Sequence, residues 1–180
     1  EYDEFHVATY FYNKSMILAE KLGDIVEVAL GKMGYATCND KLDRPDEAIY
    51  NLEQAMKLVS NDPQTMQLVS KELIEIYKKL AQKYETDVVT PNAQELALEN
   101  YENCLEVCSR ADDTATEGSI AHKIGQIYFK RGEYEKAIEH QKKYLEISTK
   151  KAADVRLENN KREAQRRMSW KPMLLWRSVT

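Results

Sequence analysis

Three cysteines and three histidines are the side chains of this sequence best suited to metal binding or nucleophilic chemistry. Cys104 and Cys108 stand four residues apart, a spacing that places both thiols on one face of a helix. A structural zinc site takes about four ligands, and the third cysteine, Cys38, lies far away in the sequence. We therefore expect the thiols to be small buried groups in a packed interior, where cysteine behaves as an apolar residue.

The histidines do not complete a reactive site either. His6, His122 and His140 are scattered, without a nucleophile or carboxylate at a supporting spacing. The sequence has no glycine-rich phosphate loop, zinc-protease histidine pair or nucleophile elbow. It predicts a protein that is not an enzyme and that has no cofactor and no metal.

The composition is typical of a soluble globular protein rich in helices. Charged residues make up 31% and hydrophobic residues 43% of the 180 positions, and six glycines and four prolines favour long helices. There is no apolar run of about 18 residues that could cross a bilayer. Without a secretory signal or a disulfide framework, a cytoplasmic location is expected. Since the chain opens without methionine inside an apparent helix, we also expect it to be a piece of a longer protein.

Charge is distributed unevenly along the chain. Residues 1–147 carry 17 basic and 27 acidic side chains, a net charge of −10, whereas residues 148–180 carry 9 and 3, a net charge of +6. Such a basic block is typical of an interaction arm or, alternatively, of a solvated helix.

A repeated pattern of apolar residues dominates the rest of the sequence. Its members are Ala8, Ala48, Ala97 and Ala137; Tyr12, Leu52, Tyr101 and Gln141, four positions later; and Met16, Met56, Leu105 and Leu145, eight positions later. The alanines are separated by 40, 49 and 40 residues, and Gln141 is the single polar member. Spacings of four and eight put each set on one helix face, and a period of this length indicates stacked helical units.

A second helical segment precedes each of the last three copies. Asp62 is placed to cap one such helix, with Pro63 at its first position. Thr114 and Glu117 have the spacing of a capping box, and Gly34 would allow two helices to approach closely. We predict an all-α fold: an α-solenoid of stacked antiparallel helix pairs with a basic C-terminal helical extension.

The residues Ile124–Gly125, Tyr128, Gly132, Tyr134 and Ala137 resemble the tetratricopeptide repeat pattern, in which an apolar–glycine pair, a tyrosine, a turn glycine and an alanine recur. The usual repeat is about 34 residues long, so the 40-residue spacing is similar to a longer variety of the family. The resemblance implies a superhelix that binds proteins without catalysis.

The same resemblance implies the domain organisation. The predicted units are a solenoid over residues 1–149, with a partial first repeat at 1–22 and repeats at about 25–60, 63–110 and 114–149, and a basic helical extension with a tail at 150–180. The middle repeat departs most from the pattern, because Ile74 stands where the glycine is expected.

In the family, the first helix of each pair lines a concave groove. Carried over by position, the partner-binding residues are Tyr35 and Asn39; Lys71, Glu75 and Lys78; and His122, Gln126, Phe129 and Lys130. A helix or extended peptide of another protein would suit this mixed surface. The alternative is a solvated inner face, or one covered by the chain's own flanks. Recognition of acidic C-termini is disfavoured, because His122 and Gln126 replace the Lys and Asn it needs.

The basic extension provides a second candidate surface. Its predicted partner-binding residues are Arg162, Arg166, Arg167, Trp170 and Trp176. Arginine and tryptophan are favoured at interface centres, so an arm that docks on tubulin or an acidic coiled coil is one interpretation. A terminal helix that folds back over the last repeat is the other. The acidic body argues against nucleic acid, and no membrane partner is expected.

These features favour an interaction scaffold or adaptor. The order of the segments is similar to that of ciliary and flagellar members of the family, which implies an axonemal or intraflagellar-transport component associated with dynein-driven motility. A cytosolic signalling adaptor that binds partner peptides, or the targeting domain of a larger enzyme, are the alternatives.

Overall fold

The computed structural model describes the backbone of residues 2–176, and leaves undescribed the side chains of Tyr2, Ala164 and residues 167–176. This part of the chain forms seven α-helices and no strand. They are α1 (Tyr2–Leu22), α2 (Ile25–Lys41), α3 (Pro45–Leu58), α4 (Pro63–Thr86), α5 (Ala93–Arg110), α6 (Thr114–Lys130) and α7 (Tyr134–Trp176). The predicted all-α class is confirmed.

The helices stack as antiparallel neighbours. α1 packs on α2, α2 on α3, α4 on α5 and α6 on α7, while the α3–α4 and α5–α6 seams join successive pairs. Tyr12 of α1 lies against Gly34 of α2, and Met16 lies against Gly31, so these two helices run in opposite directions. The close approach predicted at Gly34 is confirmed, and the arrangement is the predicted α-solenoid.

The repeated alanines lie in the seams between helices, with one exception. Ala48, Ala97 and Ala137 are buried, with 4% or less of their surface exposed. Their small side chains let neighbouring helix backbones approach closely. Ala8 is only half-buried, because α1 contacts no helix other than α2 in the described chain. The repeated alanine is therefore buried between helices in three of the four copies and only partly buried in the first.

Two of the predicted helix boundaries are confirmed. The carboxylate of Asp62 accepts a hydrogen bond from the backbone N–H of Gln64 at 3.2 Å, and Pro63 is the first residue of α4. The chain leaves α6 at Gly132, whose φ of +77° is a left-handed conformation that glycine adopts without steric cost.

The capping box predicted at the start of α6 is wrong. Asp113, one residue before Thr114, is the cap, and its carboxylate accepts from the N–H of Thr116 at 3.0 Å. A carboxylate is a strong acceptor at this positive end of a helix. Glu117 instead pairs with Lys143 of α7, with 2.9 Å between Oε1 and Nζ.

The last helix, α7, is continuous over 43 residues, a length of about 64 Å at the usual helical rise. The domain boundary predicted between residues 149 and 150 falls inside it, and the division into two units stays a prediction. Every residue from 149 to 163 is exposed, so this half of α7 extends beyond the packed pairs. None of the helices in the described range has both the length and the apolar character needed to span a bilayer.

Candidate protein-interaction surface

A groove of about 790 Å³ lies between the C-terminal part of α6 and the first half of α7. We call it the end groove; its walls include Gln126, Phe129 and Lys130 from α6, and Tyr134, Ile138, Lys142 and Leu145 from α7. The three residues from α6 are among those predicted to bind a partner. The four residues from α7 were not predicted, because the sequence pattern around them is typical of a helix face that another helix covers.

The end groove is apolar and exposed. Phe129 is 64% exposed and Tyr134 60% exposed, and their rings meet edge to face with centroids 5.6 Å apart. Ile138 and Leu145 continue the apolar surface along α7, with 54% and 60% of their surface exposed. Exposed aromatic and aliphatic side chains grouped in a concave surface mark a site for binding a protein or ligand.

His122, another predicted binding residue, contacts other side chains of the last helix pair, α6 and α7. Its Nδ1 atom lies 3.0 Å from Oε1 of Gln141, and its Nε2 atom lies 2.9 Å from Nε2 of Gln126. Its ring also packs on Tyr144, with centroids 4.8 Å apart. Gln141, the polar member of the repeat, thus has a structural role: it joins α7 to α6 through His122.

The predicted residues of α4 lie on a polar surface away from the end groove. Glu75 and Lys78 form an ion pair with each other, with 2.8 Å between Oε1 and Nζ. Lys71 borders a separate hollow of about 320 Å³, beside Asp112 and Asp113. The surface formed by these three residues is therefore charged rather than apolar.

The prediction that Asn39 of α2 lines a binding groove is wrong. Asn39 is buried, with 1% of its surface exposed, because α2 packs against α1, α3 and α4. Its carbonyl oxygen accepts hydrogen bonds from the N–H groups of Leu42 and Arg44 in the turn that follows. Asn39 cannot contact a partner in this conformation. Tyr35, on the same helix, is half-buried.

Two of the residues predicted to bind a partner through the basic extension are exposed. Arg162 is exposed and lies 3.6 Å from Glu158, one turn earlier, and Arg166 is exposed as well. The side chains of Arg167, Trp170 and Trp176 lie outside the described residues. The alternative in which this segment folds back over the last repeat is wrong up to Trp176, because a continuous helix cannot reverse direction.

The cysteines are interior residues, as predicted. Cys104 and Cys108 are both 0% exposed, and Cys38 is also buried. The hydrogen bond to Cys108, together with burial, raises the pKa of the Cys104 thiol, so it is protonated at neutral pH. Across the part of the chain with described side chains, no cluster of three or more His, Cys, Asp or Glu residues has the geometry to hold a metal ion.

Comparison with known proteins agrees with this architecture. A tetratricopeptide repeat family model matches residues 95–150, and this match supports the tetratricopeptide family. Repeats of this family bind other proteins or peptides and are typically non-catalytic. The fold is a stack of antiparallel helix pairs, and residues 95–150 match the tetratricopeptide repeat. The described helices place the match on α5, α6 and the first half of α7, which includes the end groove.

Among solved structures, the chain is similar to BtubC from P. vanneervenii, with 17% identity, 83% of this chain and 59% of that chain covered, and a TM-score of 0.46. It is also similar to the apo form of RapI, with 13% identity, 83% and 64% covered, and a TM-score of 0.44. The chain thus spans about three fifths of the length of these two structures. No curated protein matches the sequence.

Proposed function

We propose that this chain is a non-enzymatic scaffold that binds partner proteins through the end groove and the basic extension. The observation that carries the proposal is the exposed apolar surface of Phe129, Tyr134, Ile138 and Leu145 in one concave site. Aromatic and aliphatic anchors that fill or line a concave surface supply most of the binding energy of protein interfaces. A helix or an extended peptide of a partner is the occupant that suits this site.

The basic extension adds a long-range electrostatic component. Residues 148–180 carry 9 basic and 3 acidic side chains. The part of this segment from residue 149 to 163 is exposed and extends beyond the packed helix pairs. An acidic partner surface, such as a coiled coil or tubulin, would be attracted to it before the end groove is filled. The two surfaces together would bridge components of a larger assembly.

For the biological setting, we propose a ciliary axoneme or intraflagellar-transport assembly. The support for this setting is the resemblance in segment order to tetratricopeptide repeat protein 29 of cilia and flagella. Cross-linking mass spectrometry on ciliary and cytosolic extracts would separate a ciliary component from a cytosolic adaptor, since a scaffold is defined by its neighbours. Neighbours confined to cytosolic signalling proteins would exclude the ciliary setting.

The scaffold proposal is tested by comparing exposed aromatic residues inside and outside the end groove. We expect Phe129→Ala to reduce capture of cross-linked partners about tenfold, which corresponds to about 1.4 kcal/mol. Tyr50→Ala is the matched control, because Tyr50 is 62% exposed on α3 and lies outside the end groove. Reversing the charges of Arg162, Arg166 and Arg167 should also weaken capture without lowering stability. If none of these changes altered the captured set, the scaffold proposal would be wrong.

A further inference from the structure

The same type of hydrogen bond, from a tyrosine to a glutamate, occurs in two inner seams of the solenoid. The hydroxyl of Tyr77 on α4 donates to Oε1 of Glu53 on α3 at 3.1 Å. The hydroxyl of Tyr128 on α6 donates to Oε1 of Glu102 on α5 at 3.0 Å. Both glutamates stand five positions after the repeated alanine of their helix. This position is therefore where a helix meets a polar group of the helix that follows it in the stack.

On α7 the same position is occupied by a cation. Lys142 stands five residues after Ala137 and lines the end groove, and Lys130 lies on the opposite wall. In the part of the chain with described side chains, neither lysine forms an ion pair. An incoming helix with tyrosine at the matching position would find Lys142 in place of the glutamate that accepts the hydrogen bond in the inner seams. A helix with a carboxylate there would instead gain a charge-assisted hydrogen bond.

The apolar positions around Lys142 are those that a following helix covers in the inner repeats. One residue after the alanine, Leu98 on α5 is 8% exposed, whereas Ile138 on α7 is 54% exposed. Eight residues after it, Met56 on α3 is 1% exposed, whereas Leu145 on α7 is 60% exposed. The end groove extends from Tyr134 to Leu145, which is about 16 Å or three helical turns. This length fits a helix better than a compact ligand.

Two segments of the described helices, the second half of α7 and the exposed face of α1, complement the end groove poorly. The second half of α7 is continuous with the first and carries an excess of basic residues, so it neither reaches the end groove nor complements Lys142. The exposed apolar stripe of α1 in a second copy contains Lys14, whose ammonium lies 5.5 Å from the centre of the Tyr10 ring. A second copy docked through the middle of this stripe would therefore place Lys14 in a groove that already has two cations.

We propose that the end groove binds an amphipathic helix of a partner protein, and that Lys142 selects a partner with an aspartate or glutamate at the position where α4 and α6 have tyrosine. The proposal rests on the scaffold function and adds the chemistry of the occupant. The partner helix lies on α7 as α6 lies on α5, its apolar residues cover Ile138 and Leu145, and its carboxylate accepts from Nζ of Lys142. Lys130 on the other wall reinforces the preference for an acidic helix.

The probe is a pair of synthetic peptides with the sequence of α6, residues 114–130. One peptide has the unaltered sequence and the other carries Tyr128→Glu; both are stapled on the face that would point away from α7, and their helicity is verified by circular dichroism. Binding to the whole chain is measured by fluorescence anisotropy. We expect the glutamate peptide to bind about tenfold more tightly than the tyrosine peptide. Lys142→Glu should abolish this preference, whereas Lys151→Glu, on an exposed position outside the groove, should preserve it.

Three results would overturn the inference. The first is that neither helical peptide binds; the second is that both bind equally well to the unaltered chain. The third is a concentration-dependent dimer in sedimentation that is lost with Leu145→Asp, which would make a second copy the occupant. The scaffold function has a separate readout: partners that cross-link to the basic extension while the end groove stays empty would support a scaffold that acts through the extension and would exclude the acidic helix.

Discussion

Gly125 of α6 lies directly beneath Gln141 of α7. A Cβ atom at position 125 would come within 2.8 Å of Nε2 of Gln141 and 3.3 Å of the carbonyl oxygen of Ala137. The backbone carbonyl cannot move without shifting α7, and Gln141 is held by His122. This contact sets the distance between the last two helices, which form both walls of the end groove.

We therefore expect Gly125→Ala to lower the free energy of unfolding by about 1–2 kcal/mol, because overpacking outweighs the gain in helix propensity. Gly34→Ala is the matched comparison. There the three nearest atoms belong to the ring of Tyr12, which is 39% exposed and can turn toward solvent, so the change should be within about 0.5 kcal/mol. Urea unfolding of both variants provides the measurement, and equal effects would contradict the distinction.

Replacing Ala137 with arginine should destabilise the last helix pair. Ala137 is 4% exposed between α6 and α7, so a charged side chain there would be buried or would separate the helices. We expect a loss of about 3 kcal/mol in thermal or urea unfolding. Ala152→Arg, on the exposed part of the same helix, should leave stability unchanged. An unchanged melting curve for Ala137→Arg would show that the alanine register is wrong.

Stability should decrease at high pH in a way that depends on Tyr128. Burial and the hydrogen bond to Glu102 raise the pKa of Tyr128 to about 12, above its ordinary value of 10.0. The unfolded chain then releases this proton more readily, so the stabilisation is complete below about pH 10 and declines as the pH rises toward 12. Tyr128→Phe should be less stable than the natural sequence at pH 8, and the difference should shrink between about pH 10 and 11.5. A difference that is constant with pH would contradict the shift.

The thiols should be unreactive in the folded protein. Cys104 and Cys108 are fully buried, and the pKa of Cys104 is raised by the hydrogen bond to Cys108 and by burial. We expect Ellman's reagent to label them only at the rate at which the chain opens, and to label them at once in urea. Added zinc should leave the melting temperature unchanged. Rapid labelling under native conditions would show that the α4–α5 seam opens easily.

Much of the fold follows from local chemistry and was predictable. The alternation of helices and turns, the cap at Asp62 and the turn at Gly132 depend on residues within a few positions of one another. The cap of α6 was misplaced by one residue, since Thr114 and Asp113 are both good caps and the backbone conformation decides between them.

The candidate site was predictable on one side only. The α6 residues Gln126, Phe129 and Lys130 follow from the repeat register, and they do line the end groove. Periodicity identifies residues that share a helix face, but it does not say whether another helix covers that face. Asn39 and Lys142 show the two outcomes: the first was expected to be open and is buried, and the second lies on a face whose equivalents are covered.

The amino-acid pattern alone was sufficient for the helical class, the stacked helix pairs and the interior position of the cysteines, because helix formation and apolar burial act over short stretches of chain. The continuity of α7, the burial of Asn39 and the open groove beside Lys142 depended on which helices meet in three dimensions. Burial is a property of the whole packed arrangement, so a stripe of similar character is largely covered on α3 and α5 and exposed on α7.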